Sequence, residues 1–219
     1  MKPVITAFLM SAMMFCSPQS GAVTAAGSTH TLTLETTLNN PTCTLSLSPT
    51  LGGGGNGSGV VAGSSVTYSM VQPSALKAAI TTGGLVYQLP PLKLQLTCDA
   101  VTGGVSSAGK MTFTGTANNC DGNASNYLFC GAGTTSQGVG YVFKPGKTTV
   151  VLTGGAPDEA VTSGNVIDVL PKGSAITSAA GKVVKDIDVG VGISAAKAGL
   201  SVVKAGHLNT TVNFDFAWK

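Results

Sequence analysis

Arginine is absent from this chain, and all twelve basic residues are lysine. Bidentate readout of phosphates and bases leans on the arginine fork, so a nucleic-acid partner is not expected. Charge of either sign is sparse: charged residues make up 10% of the sequence and the formal net charge is +3. So small a surplus, scattered along the chain, argues for no polyanionic partner. Aromatics make up 5%, with a single tryptophan. Histidine occurs twice, at His30 and His207, and no HExxH, G-x-S-x-G or P-loop pattern is present. No CxxC occurs and neither histidine lies near a cysteine in sequence, which removes the usual zinc arrangements. No enzymatic activity, cofactor or metal is expected. Asp186 and Asp188, two residues apart, share one face of a strand. The pattern could serve a glycosidase or a calcium ion, but the apolar residues alternating with them favour a solvated face. His207, beside Gly206 at the start of a strand, reads as a solvated turn residue.

Long hydrophobic runs are lacking too, apart from twelve residues near the N-terminus, "VITAFLMSAMMF". That run is too short to span a bilayer. With Lys2 before it and small residues after it, residues 1–26 read as a secretory signal cleaved after Ala26, with Ala25 and Ala22 as tolerable alternative sites. An acylated Cys16 is disfavoured by the bulky Phe15 before it. Export leaves Cys43, Cys98, Cys120 and Cys130 in an oxidising compartment, and an even set there suggests disulfides. Cys120 and Cys130 bracket a turn-rich stretch and make an easy local clip. Cys43 is then left to pair with Cys98, closing a long loop worth about 4 kcal/mol on the chain-entropy argument.

What is abundant is glycine, 30 residues, together with serine, threonine and short alternating apolar runs. The runs are 31–38, 43–48, 65–71, 92–98, 110–116, 138–143, 147–153, 186–194 and the closing stretch "GHLNTTVNFDFAWK". Even-spaced strands broken by turn residues mean an all-β sandwich. "GGGGNGSG" (52–59) is expected to be a flexible surface loop, and "PSALKAAI" (73–80) a short helix behind Pro73. Both ends of the mature chain are strand-like, although chain ends usually fray and are polar. In the closing stretch Leu208, Thr210, Val212, Phe214, Phe216 and Trp218 share one parity.

These features resemble a chaperone–usher fimbrial subunit, a pilin. Members of that family have a glycine fourteenth from the end and a penultimate aromatic, matched here by Gly206 and Trp218. They also carry a cysteine after an N-terminal extension, matched by Cys43 with sixteen residues before it, and "LKLQLTC" (92–98) fits the second cysteine. The family's aromatic is usually tyrosine, and a glycine usually stands seven residues before the cysteine, where this chain has Thr36. The resemblance implies an incomplete immunoglobulin-like sandwich, residues 43–219, completed by a strand from a neighbouring subunit or a chaperone. It implies that residues 27–42 are the donor extension, with His30, Leu32, Leu34, Thr36 and Leu38 on the groove-filling face. It assigns Gly206, Leu208, Val212, Phe214, Phe216 and Trp218 to the strand beside the groove. The implied partners are a periplasmic chaperone, an outer-membrane usher and other pilin subunits, with room for a host receptor. The implied location is a surface fimbrium reached through the periplasm. The competing reading is a self-complete secreted β-sandwich, such as a carbohydrate-binding module.

Overall fold

Alternating apolar residues form a strand only when one face has something to cover, and most of the expected runs do. In the computed structural model the described residues are 40–82, 85–100, 104–116, 120, 126–152, 160–175, 181–195 and 203–219. Among them the strands are β1 (Cys43–Leu47), β2 (Gly59–Ala62), β3 (Ser65–Tyr68), β4 (Val86–Asp99) and β5 (Gly109–Gly115). They continue with β6 (Gly140–Pro145), β7 (Asn165–Leu170), β8 (Lys182–Ser194) and β9 (Val212–Trp218). The helix among the described residues, α1 (Pro73–Thr82), stands where Pro73 predicts it.

The architecture is an all-β sandwich of immunoglobulin-like type. A four-stranded antiparallel sheet in the order β1-β4-β8-β6 faces a three-stranded sheet in the order β7-β5-β9, and β2 and β3 form a separate hairpin. The core between the sheets draws Leu94, Leu96, Val189 and Phe143 from the first and Met111 and Phe113 from the second. Phe113 sits at its centre, with Phe129, Phe143 and Phe214 edge-on or tilted around it at centroid distances of 5.1–5.4 Å. A second, smaller cluster covers the outer face of the large sheet, where Val86 and Val142 meet Leu128, Val150 and Leu152.

Two strands, β2 and β7, were not among the expected runs. The run 92–98 proves to be the second half of a longer strand, β4, whose register shifts between Leu89 and Leu92 across Pro90 and Pro91. Proline cannot donate to a ladder, so a bulge is where it fits. The expected strand 147–153 does not form across its described residues. Val150 and Leu152 are fully buried and Val151 is exposed, so the alternation is real, but it serves an irregular segment. The Gln88 side chain takes the place of a strand partner, accepting from the Val150 amide at 3.0 Å and donating to the Val150 carbonyl. The glycine-rich stretch lies on the surface, as its composition predicts. It nonetheless follows a fixed course along β4, because the Gly52 amide donates to Pro91 O and the Asn56 amide to Gln88 O, each at 2.9 Å. Gly55 is required there: its φ is +78° and a Cβ would meet the Leu89 carbonyl carbon at 2.3 Å.

Candidate functional site: an open flank between two edge strands

β1 and β9 are edge strands of opposite sheets, and both border the same side of the core. Their apolar residues are Cys43, Leu45 and Leu47 on β1 and Val212, Phe214, Phe216 and Trp218 on β9. All seven pack against the core yet stay only partly buried. The neighbouring strand β5 sets the standard for a finished core, since Met111 and Phe113 retain 1% and 2% exposure. The odd positions of β9, Asn213, Asp215 and Ala217, are exposed. The parity read from the sequence is therefore the parity of the structure, with the inward face left half uncovered.

The main chain carries the same message. Ala108 and Lys219 exchange both of their backbone hydrogen bonds at 2.9 Å, so they form a hydrogen-bonded pair of the β5–β9 ladder. Antiparallel pairs alternate, so Asn213, Asp215 and Ala217 also bond to β5. The N–H and C=O groups of Val212, Phe214, Phe216 and Trp218 then point away from β5, toward the free edge. On β1 the Asp99 amide donates to Thr42 O at 3.0 Å and the Ser48 amide to Lys93 O at 2.8 Å. By the same alternation the backbone groups of Cys43, Leu45 and Leu47 also point away from their sheet. Two strands thus turn both their apolar side chains and their spare backbone groups toward one gap. That gap is a lengthwise slot between the two edges.

Each end of the slot is fastened. At one end the Trp218 indole N–H reaches across and donates to the Pro41 carbonyl at 2.9 Å. Beside it, Asn40 Oδ1 accepts from the Ser106 amide, the Ser106 hydroxyl and the Ser107 amide at 2.9–3.2 Å. At the other end, residues 204–209 lie antiparallel to residues 131–137. Gln137 and Lys204 exchange backbone bonds at 3.1 and 3.2 Å, His207 O accepts from the Thr135 and Ser136 amides, and the Gly131 amide donates to Asn209 O at 2.6 Å. The Thr134 hydroxyl and the Asn209 backbone bond in both directions at 2.9 and 3.1 Å. Gly206 belongs to this strip, ahead of the groove strand to which the sequence assigned it. A Cβ there would lie 2.4 Å from Ser136 N and 2.6 Å from Thr135 O, a backbone clash that no rotamer relieves. Leu208 follows it as a half-buried neighbour of the core, still outside the ladder. The Thr210 hydroxyl is buried near this end with no hydrogen-bond partner among the described residues.

The four cysteines form two disulfides. Cys43 and Cys98 face each other across β1 and β4 with Cα atoms 4.1 Å apart, and Cys120 joins Cys130 with Cα atoms 5.5 Å apart. The first ties the groove edge β1 to the core strand β4. The donor-face residues His30, Leu32, Leu34, Thr36 and Leu38 lie outside the described residues, as does the signal segment.

Two residues weighed for other chemistry lie on the surface. Asp186 is exposed, ion-paired with Lys93 at 3.7 Å and hydrogen-bonded by Gln95 at 3.3 Å, on the outer face of the large sheet. His207 is exposed in the strip, and among the described residues no three His, Cys, Asp or Glu side chains gather as a metal site. A shallow hollow lined by Leu51, Val60, Val61 and Pro90 lies by the β2–β3 hairpin and shares no residue with the slot.

No protein-family model matches the sequence, and no curated protein matches it. Among solved structures, one similar chain comes from a chaperone–usher pilus studied for rod uncoiling. It is 15% identical, with 90% of this chain and 100% of that one covered and a TM-score of 0.43. Another is the P pilus rod subunit PapA, 18% identical, with 69% and 89% covered and a TM-score of 0.37.

Proposed function

We propose that this chain is a structural pilin, exported through the periplasm, that polymerises by donor-strand exchange into a surface fimbria. The slot between β1 and β9 is the observation that carries the reading. Exposed strand edges of this kind invite uncontrolled pairing, and proteins cover them. Strand addition covers them with main-chain bonds for affinity and alternate side chains for specificity. A donor segment brings apolar residues at period two, and this chain has such a segment in residues 30–38. Leu32, Leu34 and Leu38 on one face would contribute about 1.5–3 kcal/mol each when fully buried. The main-chain groups of the seven inward residues of β1 and β9 would gain partners at about 1 kcal/mol per bond. A periplasmic chaperone would fill the slot before assembly, an outer-membrane usher would exchange it, and the next subunit would occupy it in the fibre.

The test compares the mature chain with a version lacking residues 27–38. The full chain is expected to form ladders of homopolymer that resist mild denaturation. The truncated chain is expected to remain a monomer that still accepts a synthetic peptide of residues 27–42. Homopolymers of the truncated chain would show that the extension is not the donor.

A further inference from the structure

The disulfide Cys120–Cys130 lies away from the slot, yet the chain runs from Cys130 directly into the strip that leads to β9. Gly131, the next residue, donates to Asn209 O at 2.6 Å, and Thr134 holds Asn209 from both sides. The clip is itself packed inside the molecule. Cys120 retains 1% exposure, its carbonyl accepts from the Gly138 amide at 3.0 Å, and a Cβ on Gly140 would meet its sulfur at 2.7 Å. Both ends of the 131–137 segment are therefore fixed, one by the disulfide at Cys130 and the other by the contacts of Gly138 and Gly140. Residues 204–209 have no other antiparallel partner among the described residues, and β9 begins three residues later.

We infer that Cys120–Cys130 is a positioning element for the acceptor slot: it holds 131–137 in place, and through that strip it sets the course of β9. The inference rests on the donor-strand reading above and adds the clip and the strip to the site. The two disulfides then divide the work. Cys43–Cys98 fixes the β1 edge of the slot, and Cys120–Cys130 steadies the approach to the β9 edge. With the clip absent, the segment 131–137 keeps its sequence but loses one fixed end. The strip should then open more often, and the upper part of β9 with it. Loss of this kind shows in release of a bound strand more than in its capture.

The experiment uses the mature chain lacking residues 27–38, whose slot no extension can fill, its Cys120→Ser/Cys130→Ser double variant, and its Thr134→Val variant, which cuts the strip without touching a cysteine. Amide exchange is followed across 204–212 and across β4, and release of a labelled peptide of residues 27–42 is timed. Both variants are expected to keep the protection of β4 and to lose it at 204–212. Both are expected to release the peptide about tenfold faster, a change of about 1.4 kcal/mol in the holding of the strand. Unchanged protection at 204–212 in the double variant overturns the inference, whatever the peptide does. If the parent chain binds no peptide, the donor-strand reading fails, and the exchange data still decide whether the clip steadies β9. If the parent binds and both variants release at the parental rate, the clip is a local staple only.

Discussion

β6 and β1 are the two edges of one sheet, and they are finished in opposite ways. Beyond β6, Phe129 exchanges backbone bonds with Tyr141 at 2.9 and 3.1 Å, and the Val161 amide donates to Phe143 O at 3.0 Å. The side chains there are sealed, with Phe129 at 0% and Phe143 at 3% exposure. Beyond β1 no such cover exists among the described residues, and its inward residues stay half-buried. On the proposed reading, β1 and β9 are the edges that a segment supplied from elsewhere would cover.

That contrast predicts unequal costs for similar truncations. Phe129→Ala should destabilise the free subunit by about 3–5 kcal/mol, the range for an aromatic removed from a finished core. Leu45→Ala should cost about 1 kcal/mol in the free subunit, because its site is only half enclosed, and more once a donor strand covers it. Urea unfolding with and without the 27–42 peptide checks both. A Leu45 cost that equals that of Phe129 and ignores the peptide would erase the distinction between the edges.

A smaller effect is expected at Trp218. Because the ring is half-buried, the fixed property of the residue is its indole bond to Pro41. Trp218→Phe should therefore cost about 1 kcal/mol, the net value of one hydrogen bond. It should also raise amide exchange at the Asn40–Cys43 end of β1, read by mass spectrometry, while the β6 edge stays unchanged.

A pair of tyrosines should also answer to alkali. Tyr68 and Tyr141 stand 6.5 Å apart, and burial raises the pKa of both phenols, Tyr141 adding to the effect on Tyr68. The folded state thus favours the neutral phenols. Stability is full below the ordinary tyrosine value near 10 and falls as pH rises past it, since the unfolded chain releases those protons first. Urea midpoints measured from pH 8 to 11 should decline above about 10, and Tyr68→Phe should flatten the decline. The same variant removes the bond from the Tyr68 hydroxyl to Pro90 O, 3.0 Å long, and so lowers the midpoint at neutral pH. The smallest effect belongs to Asn213→Asp, on the exposed parity of β9, which should change the unfolding free energy by less than about 0.5 kcal/mol.

Much of this was legible in the sequence. The period-two runs located β1, β5, β6 and β9, since one face of each strand must be apolar. The parity of the closing stretch named the inward residues of β9. What stayed hidden depended on partners distant in sequence. The run 147–153 alternates as a strand should, but its ladder partner is the Gln88 side chain, 62 residues away. β7 escaped because its burial is shallow, and β2 because "GVVA" is short and follows a glycine-rich loop. Gly206 stands out by its distance from the end, but its reason, a backbone that would lie 2.4 Å from any Cβ there, exists only in three dimensions. The strip that joins the second disulfide to β9 left no trace in spacing or composition.

The most direct test of the account is residue-resolved amide exchange on the chain lacking residues 27–38, with and without the 27–42 peptide. The account predicts new protection at the amides of Cys43, Leu45 and Leu47 and of Val212, Phe214, Phe216 and Trp218. The amides of Asn213, Asp215 and Ala217 already bond to β5 and should change least. Protection that fell on the odd positions of β9 or the outer edge of β6, or that failed to develop at saturating peptide, would contradict it.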